Sequence, residues 1–513
     1  MIAGTDAAQD LRRQSLSMLL RRSAERFGPR IALECGATRW TYAQLDRLAD
    51  RLANGLAAIG VAQGDRIAVL ARNSHAFMAL RFAAARVGAV LVPINFMLHA
   101  AEARFILENA GASLLFADAT TLATAREAAP GLPLYGLPGE HDPAPAGIPA
   151  WDSLLGPDTP PAEAVDADDL LQIIYTSGTE SRPKGAMLTH GAVLWEYQSV
   201  IVDCEIRPSI ALHAMPLYHC AQLDAMIGPH LQVGSHNVVT ASPAPENLLA
   251  LIQRHRVTSL FVPPTVWIGL LRSPAFDRTD LSSLTHGYFG ASIMPGEVLR
   301  ELMARRPRLR LWNVYGQTEM APVATALQPH EHLERPNSCG RPVLHVSTRV
   351  VDEAMNDVAP GEVGEVVHRS PHLMSGYWND PEKTAAAFAG GWFHSGDLAT
   401  IDADGYITIV DRKKDMINSG GENVSSREVE ECLYTHPHVA EVAVIGLPDP
   451  RWIETVCAVV VLRDGALVEE AALIAHCRAT LAPYKAPKRV ILVDALPKNA
   501  SGKILKRELR DLA

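Results

Sequence analysis

A strand-like segment that runs straight into a loop of glycine, hydroxyl and lysine residues limits the fold more than any other part of the sequence. Residues 170–174 (LLQII) read as a buried strand, and YTSGTESRPKGAMLTH follows at 175–190. Backbone N–H groups, hydroxyls and an ammonium group together suit an anion such as phosphate. A Walker A loop does not fit, because Lys184 precedes Gly185 and apolar residues stand where the metal-binding hydroxyl should be. The segment predicts a phosphate-binding loop of another kind.

Alternating helix and strand patterns surround this loop over most of the chain. Thr41 and Gln44 form a capping box that begins a helix with leucines on one face, and residues 67–70 follow as a short apolar strand. Residues 74–86 predict a second helix. Because the alternation continues to about residue 311, we predict an α/β fold with a large body built on several sheets.

The pattern changes near the C-terminal end, where a small α+β domain is predicted. The strand-like segment 405–410 is followed by a charged segment, DRKKD, and then by a helix cap at Ser425. The residues that remain are enough for a separate small domain. We therefore place a hinge near Asp411, which divides the chain into a body of residues 1–410 and a mobile C-terminal domain of residues 411–513.

Charge, cysteine content and hydrophobicity exclude several classes of protein. The 513 residues carry a formal net charge of −10 at pH 7, which argues against nucleic-acid binding. The seven cysteines are scattered and have no metal-site spacing, so reduced thiols are expected rather than disulfides. No segment reaches the roughly 20 apolar residues of a membrane span, and the acidic N-terminus is unlike a signal peptide. We expect a cytoplasmic enzyme, and the sequence leaves open whether it forms a homodimer.

Four further segments follow the glycine-rich loop in a fixed order. They are WNVYGQTE from Trp312, HSGD from His394, DRKKDMINSGGENV from Asp411 and PKNASGKILK from Pro497. With the loop, they resemble the adenylate-forming superfamily of acyl-CoA synthetases, peptide-synthetase adenylation domains and luciferases, over nearly the whole chain from Leu20. The resemblance implies an enzyme that joins a carboxylate to the α-phosphorus of ATP and then passes the acyl group to a thiol.

The nucleoside part of ATP is assigned by this resemblance to residues from three segments. Tyr315 is expected to stack on adenine. Gly290 and Ala291 fall in the segment FGAS, where relatives place an adenine-contacting loop. Asp397 and Arg412 are expected to bind the ribose hydroxyls.

The phosphates of ATP are assigned in the same way. Thr318 is expected to contact the α-phosphate, and Glu319 to help bind Mg²⁺, since a single carboxylate with phosphate oxygens suits this ion. The attacking carboxylate is already anionic, so the first step needs positioning and charge neutralisation rather than a general base. The residues implied to hold the pyrophosphate portion are Thr176, Ser177, Gly178, Thr179 and Lys184.

The C-terminal domain is implied to alternate between two tasks. Lys503 follows a Ser-Gly turn and precedes apolar residues, so we predict it at a loop tip, whereas Lys506 is expected to be a solvated surface lysine. In the superfamily, a lysine at the place of Lys503 bridges the carboxylate and the α-phosphate during adenylation. The small domain then swings about its hinge for transfer to CoA. By resemblance, Gly420 and Gly421 then lie against the pantetheine arm, because adjacent glycines let a slender chain pass close to the backbone.

Glu180 and Ser181 depart from the superfamily, whose members usually carry Thr-Gly at this loop tip. An anion there repels the β- and γ-phosphates, and serine resists the positive φ angle that glycine accepts. The substitution leaves open whether Glu180 faces the phosphates or points to solvent.

The acyl pocket is predicted to begin around His219, in the segment MPLYHCAQ. Peptide-synthetase adenylation domains place an aspartate near this point to bind an amino group, whereas many acyl-CoA synthetases have histidine. Asp224 follows five residues later, and whether it substitutes for that aspartate is open. Leu217, Met226 and Ile227 favour an uncharged acyl group.

The leading prediction is therefore an ATP-dependent ligase that joins an apolar, fatty-type carboxylic acid to CoA and releases AMP and pyrophosphate. An aryl-CoA ligase for cinnamate- or benzoate-type acids is the alternative, and an enzyme that loads a carrier protein is the third possibility. A non-enzymatic binding module is disfavoured, because Lys503 and Glu319 are both present. The expected partners are a small carboxylic acid, ATP, Mg²⁺ and CoA, without nucleic acid.

Overall fold

The computed structural model covers most of the chain. It describes residues 13–161, 165–176, 183–292, 294–413, 415–419, 422–449, 452–499 and 504–512. Several predicted functional residues lie outside these ranges, and they are Ser177, Gly178, Thr179, Glu180, Ser181, Gly420, Gly421 and Lys503.

Strands up to the predicted hinge alternate with helices as the sequence indicates. Thr41 and Gln44 form the predicted capping box, and Ser74 caps the second predicted helix by accepting a hydrogen bond from Phe77 N–H. The strands are β1 (Ile31–Cys35), β2 (Thr38–Thr41), β3 (Arg66–Leu70), β4 (Val90–Pro93), β5 (Ala112–Ala117), β6 (Leu134–Gly136), β7 (Leu170–Thr176), β8 (Lys184–Thr189), β9 (Ile210–His213), β10 (His236–Val239), β11 (Ser259–Phe261), β12 (His286–Gly290), β13 (Arg310–Gly316), β14 (Val323–Leu327), β15 (Arg341–Pro342), β16 (Ser347–Val351), β17 (Gly364–Arg369), β18 (Gly376–Tyr377), β19 (Phe393–Ile401) and β20 (Ile407–Arg412).

Helices fill the space between and outside the sheets of the body. Short 3₁₀ turns at Trp151–Leu154, Thr318–Met320 and Ala389–Gly391 and a π-helical turn at Leu223–Ile227 interrupt the regular elements. The α-helices are α1 (Leu16–Phe27), α2 (Tyr42–Ala58), α3 (His75–Val87), α4 (Ala100–Ala110), α5 (Leu122–Ala128), α6 (His190–Asp203), α7 (Cys220–Gln222), α8 (Gly228–Val233), α9 (Pro245–His255), α10 (Pro264–Arg272), α11 (Gly296–Arg305) and α12 (Pro381–Ala387).

Three sheets build the body. A nine-stranded sheet has the order β15-β14-β13-β12-β11-β9-β10-β1-β2, and a seven-stranded sheet has the order β18-β8-β7-β4-β3-β5-β6. The third sheet has four antiparallel strands in the order β16-β17-β19-β20. One core cluster contains residues from both larger sheets and from helix α3, which is buried along almost its whole length. This architecture confirms the predicted multi-sheet α/β body.

The C-terminal domain has its own sheet and its own apolar core. Its elements are α13 (Ser426–Tyr434), α14 (Glu470–Thr480), α15 (Lys506–Leu512), β21 (Ile417–Ser419), β22 (Glu422–Val424), β23 (Val439–Asp449), β24 (Ile453–Leu462) and β25 (Arg489–Leu492). Its two core clusters begin at Ile417 in the chain, whereas the described clusters of the body extend no further than Ile409. Asp411 lies between the last core residue of the body and the first core residue of the C-terminal domain. That a hinge lies there stays a prediction.

Two expectations about the whole chain can be compared with the described residues. The seven cysteines, all within the described ranges, are free and buried, as reduced thiols would be. Among the helices of the described ranges, none is long and apolar enough to cross a membrane. A cytoplasmic location stays a prediction.

Candidate active site

The predicted ligand-binding residues collect where neighbouring parallel strands end. Strands β9, β11, β12 and β13 run parallel, so their carboxyl ends meet at one edge of the nine-stranded sheet. Such an edge is where open α/β sheets bind their ligands. The segments at the ends of β9, β12 and β13 carry the predicted acyl, adenine and α-phosphate residues.

The predicted ribose site lies between two sheets. Tyr315, near the end of β13, donates a hydrogen bond from its hydroxyl to Asp397 Oδ2 at 2.6 Å. Asp397 is buried on β19 and pairs across the third sheet with Arg412, whose Nε lies 3.4 Å from Asp397 Oδ1. Burial and the Asp397 carboxylate raise the pKa of Tyr315, so its phenol stays protonated and donates. The structure therefore brings these three predicted residues together.

Gly290 and Ala291 form a tight turn at the end of β12, beside the strand β13 that carries Tyr315. A side chain at Gly290 would meet the carbonyl oxygen of Val314 at 2.3 Å, so the close approach of β12 to β13 requires glycine. Ala291 has a φ angle of +64° and its side chain is exposed. The turn ends β12 next to Tyr315, as expected for a loop near the adenine ring.

Glu319 and Lys184 come together through a tyrosine that the sequence did not indicate. The hydroxyl of Tyr377 on β18 donates to Glu319 Oε1 at 2.8 Å, and the ammonium nitrogen of Lys184 lies 5.3 Å from the centre of the same ring. Strand β18 pairs with β8, which begins at Lys184. Burial, and secondarily Glu319, raise the pKa of Tyr377, which keeps its proton on the oxygen. Tyr377 thus connects the carboxylate of Glu319, in its 3₁₀ turn, with the ammonium group of Lys184 on β8.

The carboxylate of Glu319 fits Mg²⁺ better than a metal bound entirely by protein. No group of three or more His, Cys, Asp or Glu side chains in the described part of the chain is arranged to hold an ion. Mg²⁺ commonly takes one or two carboxylates and completes its octahedron with water and substrate phosphates. When bound with ATP, it would neutralise phosphate charge.

Thr176 and Thr318 frame the remaining part of the predicted phosphate site. Thr176 ends β7 opposite Lys184 in the antiparallel ladder, and its hydroxyl lies 3.5 Å from the carbonyl oxygen of Lys184. Thr318 is buried in its 3₁₀ turn, where its hydroxyl accepts a hydrogen bond from the thiol of Cys220 at 3.4 Å. Cys220 belongs to the acyl segment, so the thiol joins the two halves of the site.

A narrow pocket lies beside this thiol, at the place predicted for the acyl group. His219 lies in its wall and caps helix α7, with Nδ1 accepting from Ala221 N–H at 3.2 Å. The amide of Gln222 accepts from Met215 N–H at 3.1 Å and donates to His213 Nδ1 at 2.7 Å. The residues that line the pocket are Met215, Pro216, His219, Ala221, Gln222, Phe261, Pro263 and Ala291.

Asp224 is not a substitute for an amino-group ligand. Its side chain is fully buried and is paired with the guanidinium of Arg81, and its second oxygen accepts from Gln172 Nε2 at 2.7 Å. The carboxylate therefore serves the interior of the body. Spacing alone left this question open, because Arg81 lies far away in the sequence.

Lys506 is not a solvated surface lysine, and the expectation for it was wrong. Its ammonium group lies 2.8 Å from Glu430 Oε1 and donates to Ser426 Oγ at 2.6 Å, and its side chain is 21% exposed. Glu430, Asp411 and Asp415 raise the pKa of Lys506 against the effect of its burial. The lysine joins helix α15 to helix α13 beside the predicted hinge.

Tyr377 is the functional residue that the sequence reasoning missed. It lies 58 residues after its partner Glu319, in a segment, SGYWND, without a recognisable spacing to the phosphate loop. Only the pairing of β18 with β8 reveals its position.

Comparison with known proteins agrees with this geometry. The model of the AMP-binding enzyme family matches residues 20–378, and the model of the AMP-binding enzyme C-terminal domain matches residues 428–503. Feruloyl-CoA synthase from Amycolatopsis sp is 41% identical over 93% of this chain and 95% of its own length. A long-chain-fatty-acid–CoA ligase from Mycobacterium tuberculosis is 36% identical over 92% of this chain and 93% of its own length. An anthranilate CoA ligase in complex with anthranoyl-AMP superposes with a TM-score of 0.91 at 27% identity, over 98% of this chain and 97% of that one.

The chain belongs to the AMP-binding enzyme family, the adenylate-forming superfamily. Within it, the protein is an AMP-forming acid–thiol ligase of the acyl-CoA synthetase branch. ATP and CoA are its co-substrates.

Proposed function

We propose that the acid activated by this ligase carries an aromatic ring, as in cinnamate- or benzoate-type acids. The observation that carries the proposal is the wall of the pocket, where Phe261, Pro216 and Pro263 are buried beside Met215. An aromatic face and two rigid prolines suit a planar ring. The similarity to feruloyl-CoA synthase and to the anthranilate CoA ligase structure supports the same class of acid.

A fatty acid is the second candidate, and it is the one that the sequence favoured. The pocket is apolar, and the similarity to the long-chain-fatty-acid–CoA ligase supports this candidate. The preference for a fatty acid over an aryl acid, which was predicted from the sequence, stays untested. The family assignment favours CoA over a carrier protein as the acceptor.

The two half-reactions follow from the residues around the pocket. In the first, a carboxylate oxygen of the acid bonds to the α-phosphorus, and the bond to pyrophosphate breaks. Thr318 would donate to the α-phosphate, and Thr176 and Lys184 would hold the departing pyrophosphate. Glu319, oriented by Tyr377, would hold Mg²⁺. These groups are placed before the reaction, so they stabilise developing charge without reorganisation.

The nucleoside stays bound through both half-reactions. Asp397, held by Tyr315 and Arg412, would accept hydrogen bonds from the ribose hydroxyls, with adenine on the face of Tyr315. In the second half-reaction, the sulfur of CoA bonds to the acyl carbon, and the bond to AMP breaks. The C-terminal domain would supply Lys503 to the first step and the backbone at Gly420 and Gly421 to the second.

Pyrophosphate exchange over a panel of acids tests the proposal. Cinnamate, benzoate, octanoate and dodecanoate are compared at saturating ATP, and thioester formation is followed with and without CoA. We expect kcat/KM for the best aryl acid to exceed that for octanoate by about tenfold or more, the discrimination that pocket contacts can supply. A preference for octanoate or dodecanoate would replace the aryl acid with a fatty acid.

A variant of His219 connects the pocket with this preference. Since His219 lies in the wall of the acyl pocket, His219→Ala should change the ranking of acids more than the KM for ATP. An altered KM for ATP with an unchanged ranking would move His219 out of the acyl site.

A further inference from the structure

A buried polar network begins one residue behind the wall of the acyl pocket. Gln222 lines the pocket, and the carbonyl oxygen of the next residue, Leu223, accepts from a guanidinium nitrogen of Arg81 at 2.9 Å. Asp224 follows and pairs with the same guanidinium. Neither Arg81 nor Asp224 lines the pocket, and their side chains are 1% and 0% exposed. The ion pair is therefore bound to the backbone of the chain directly after the wall residue Gln222.

The network joins four elements of the body. Arg81 comes from α3 and also donates to the hydroxyl of Tyr197 on α6 at 3.3 Å. Gln172 on β7 donates to the free oxygen of Asp224 at 2.7 Å. Asp224 itself stands in the π-helical turn, an irregularity that often accompanies functional sites. The ion pair is thus held from several directions.

A second acid lies within the same region. Glu196 on α6 is fully buried. Burial, together with the Asp224 carboxylate, raises the pKa of Glu196. Burial raises the pKa of Asp224 as well, against the effect of Arg81.

The Arg81–Asp224 pair resists penetration by an apolar chain. Protein interiors are close-packed, so an alkyl chain longer than the pocket would have to move the residues behind Gln222. Separating a buried pair leaves desolvated charges, which is far more costly than moving apolar side chains. The energetic barrier is thus specific to long chains, whereas an acid that ends at Gln222 does not meet it.

We infer that the Arg81–Asp224 pair closes the deep end of the acyl pocket and makes the enzyme reject long-chain fatty acids. The inference deepens the proposed function and rests on it for the place where the acyl group binds. Neither Arg81 nor Asp224 touches substrate in this arrangement. They determine specificity by fixing where the Gln222 wall stands.

The test compares chain-length profiles of four proteins. Pyrophosphate exchange is measured with straight-chain acids from butanoate to dodecanoate and with cinnamate, for wild type and for Arg81→Met/Asp224→Leu. Replacing both partners by apolar residues avoids a buried unpaired charge. Asp224→Asn keeps the shape. The matched control is Arg86→Met/Asp46→Leu, a buried pair that joins the same helix α3 to α2, where Asp50 keeps Arg21 as a partner at 2.9 Å.

We expect kcat/KM of wild type to fall about tenfold or more between hexanoate and dodecanoate. In the double variant this fall should shrink to about threefold or less, with the KM for ATP unchanged. The Arg86 control should keep the wild-type profile, whereas Asp224→Asn, which removes the anion of the pair, should also make the fall smaller. A folded double variant with the wild-type profile, or a wild type without the fall, would overturn the inference.

The experiment distinguishes a failure of the proposed function from a failure of this inference. Cinnamate activity tests the aryl class, whereas the change of the chain-length profile between wild type and double variant tests the buried pair. If wild type ignores cinnamate but rejects dodecanoate only while the pair is intact, the aryl proposal fails and the buried pair stands. Circular dichroism and a melting curve show that each variant is folded.

Discussion

The body and the C-terminal domain hold their functional residues in different ways. In the body, Tyr315 and Asp397 form a hydrogen bond between two sheets, and Tyr377 on β18 donates to Glu319 in a 3₁₀ turn. These elements share one large core or border on it. The C-terminal domain has separate core clusters that begin at Ile417. Preorganisation therefore belongs to the body, and repositioning of the C-terminal domain as a unit stays a prediction.

Polar contacts join the two regions near the predicted hinge. The hydroxyl of Ser425 donates to the carbonyl oxygen of Val410 at 2.7 Å. Arg427 donates to the carbonyl oxygen of Asn337 at 3.2 Å. Contacts of this kind exchange for water at a small net cost, unlike the separation of an apolar interface. The difference suits a domain that changes orientation between half-reactions.

Replacement of Lys503 should give the largest effect that distinguishes the role of the C-terminal domain from that of the body. If the domain contributes this lysine to adenylation alone, Lys503→Ala should lower the rate of adenylation by about 10²–10³-fold, as for the loss of one transition-state donor. Thioester formation from a supplied acyl-adenylate should remain close to wild type. Pyrophosphate exchange and a thioester assay measure the two steps. Equal losses in both steps would contradict the alternation of the domain.

The sequence was sufficient for the architecture, because its signals were local. The capping box at Thr41 and the apolar segment at 170–174 depend on neighbours in the chain, and both appear in the structure. The nucleotide residues Tyr315 and Asp397 were proposed from motifs, and they form a hydrogen bond. The order of the motifs therefore predicted that two residues 82 positions apart in the sequence belong to one site.

The remaining features depend on pairings between distant segments. Lys506 reads as a surface lysine, since its partners Glu430 and Ser426 lie about 80 residues earlier on another helix. Arg81 and Asp224 are separated by 143 residues. No periodicity or motif marks such pairs in one sequence, so burial of charge becomes visible only once the helices are packed.

The second-largest expected effect concerns the free energy of unfolding at acidic pH, which should depend on the body more than on the C-terminal domain. Six histidines are buried in the body, whereas the described histidines of the C-terminal domain are not: the buried ones are His190, His213, His230, His332, His368 and His372. Burial lowers the pKa of His190 to about 3, while an unfolded histidine titrates near 6.5. Because the folded state binds fewer protons, this contribution to stability is present above pH 6.5 and is lost as the pH falls toward 3. At pH 5 the loss is about 2 kcal/mol.

His190→Asn should therefore reduce the loss of unfolding free energy between pH 7 and pH 5 by about 2 kcal/mol. Asparagine can still accept the hydrogen bond that His190 Nδ1 receives from Leu16 N–H at 3.1 Å. The exposed His438 in the C-terminal domain supplies the control, since His438→Asn should leave the difference unchanged. Urea titrations at both pH values measure it. An unchanged difference for His190→Asn would mean that this histidine is not a source of acid sensitivity.

The ribose site should respond in both half-reactions, in contrast to Lys503. Asp397→Asn removes the charge that Arg412 faces at 3.4 Å and weakens a charge-assisted acceptor, so the KM for ATP should rise about tenfold. Tyr315→Phe removes only the hydroxyl that donates to Asp397 and should have a smaller effect. The thioester step should be impaired by Asp397→Asn as well. A normal thioester step would place Asp397 with Lys503 rather than with the nucleotide.

The smallest expected effect concerns the phosphate loop, where the body departs from its superfamily. If Glu180 faces the phosphates, it weakens ATP binding by repulsion that Lys184 and Mg²⁺ offset in part. Two unit charges 4 Å apart repel by about 1 kcal/mol in water and about 4 kcal/mol at an effective dielectric constant near 20. Salt screens an exposed loop, so we expect roughly 1 kcal/mol, which is a several-fold change in affinity. The double variant Glu180→Thr/Ser181→Gly should therefore lower the KM for ATP several-fold.

Ionic strength separates this repulsion from a loop tip that is merely tolerated. Repulsion between Glu180 and phosphate is strongest when the Debye length is long, about 30 Å at 0.01 M salt against about 8 Å at 0.15 M. The ratio of KM values between wild type and double variant should then be larger at the lower salt concentration. A carboxylate that points into water would give the same KM for both proteins at both concentrations. That outcome would mean that Lys184 and its neighbours bind the pyrophosphate and that Glu180 takes no part in binding.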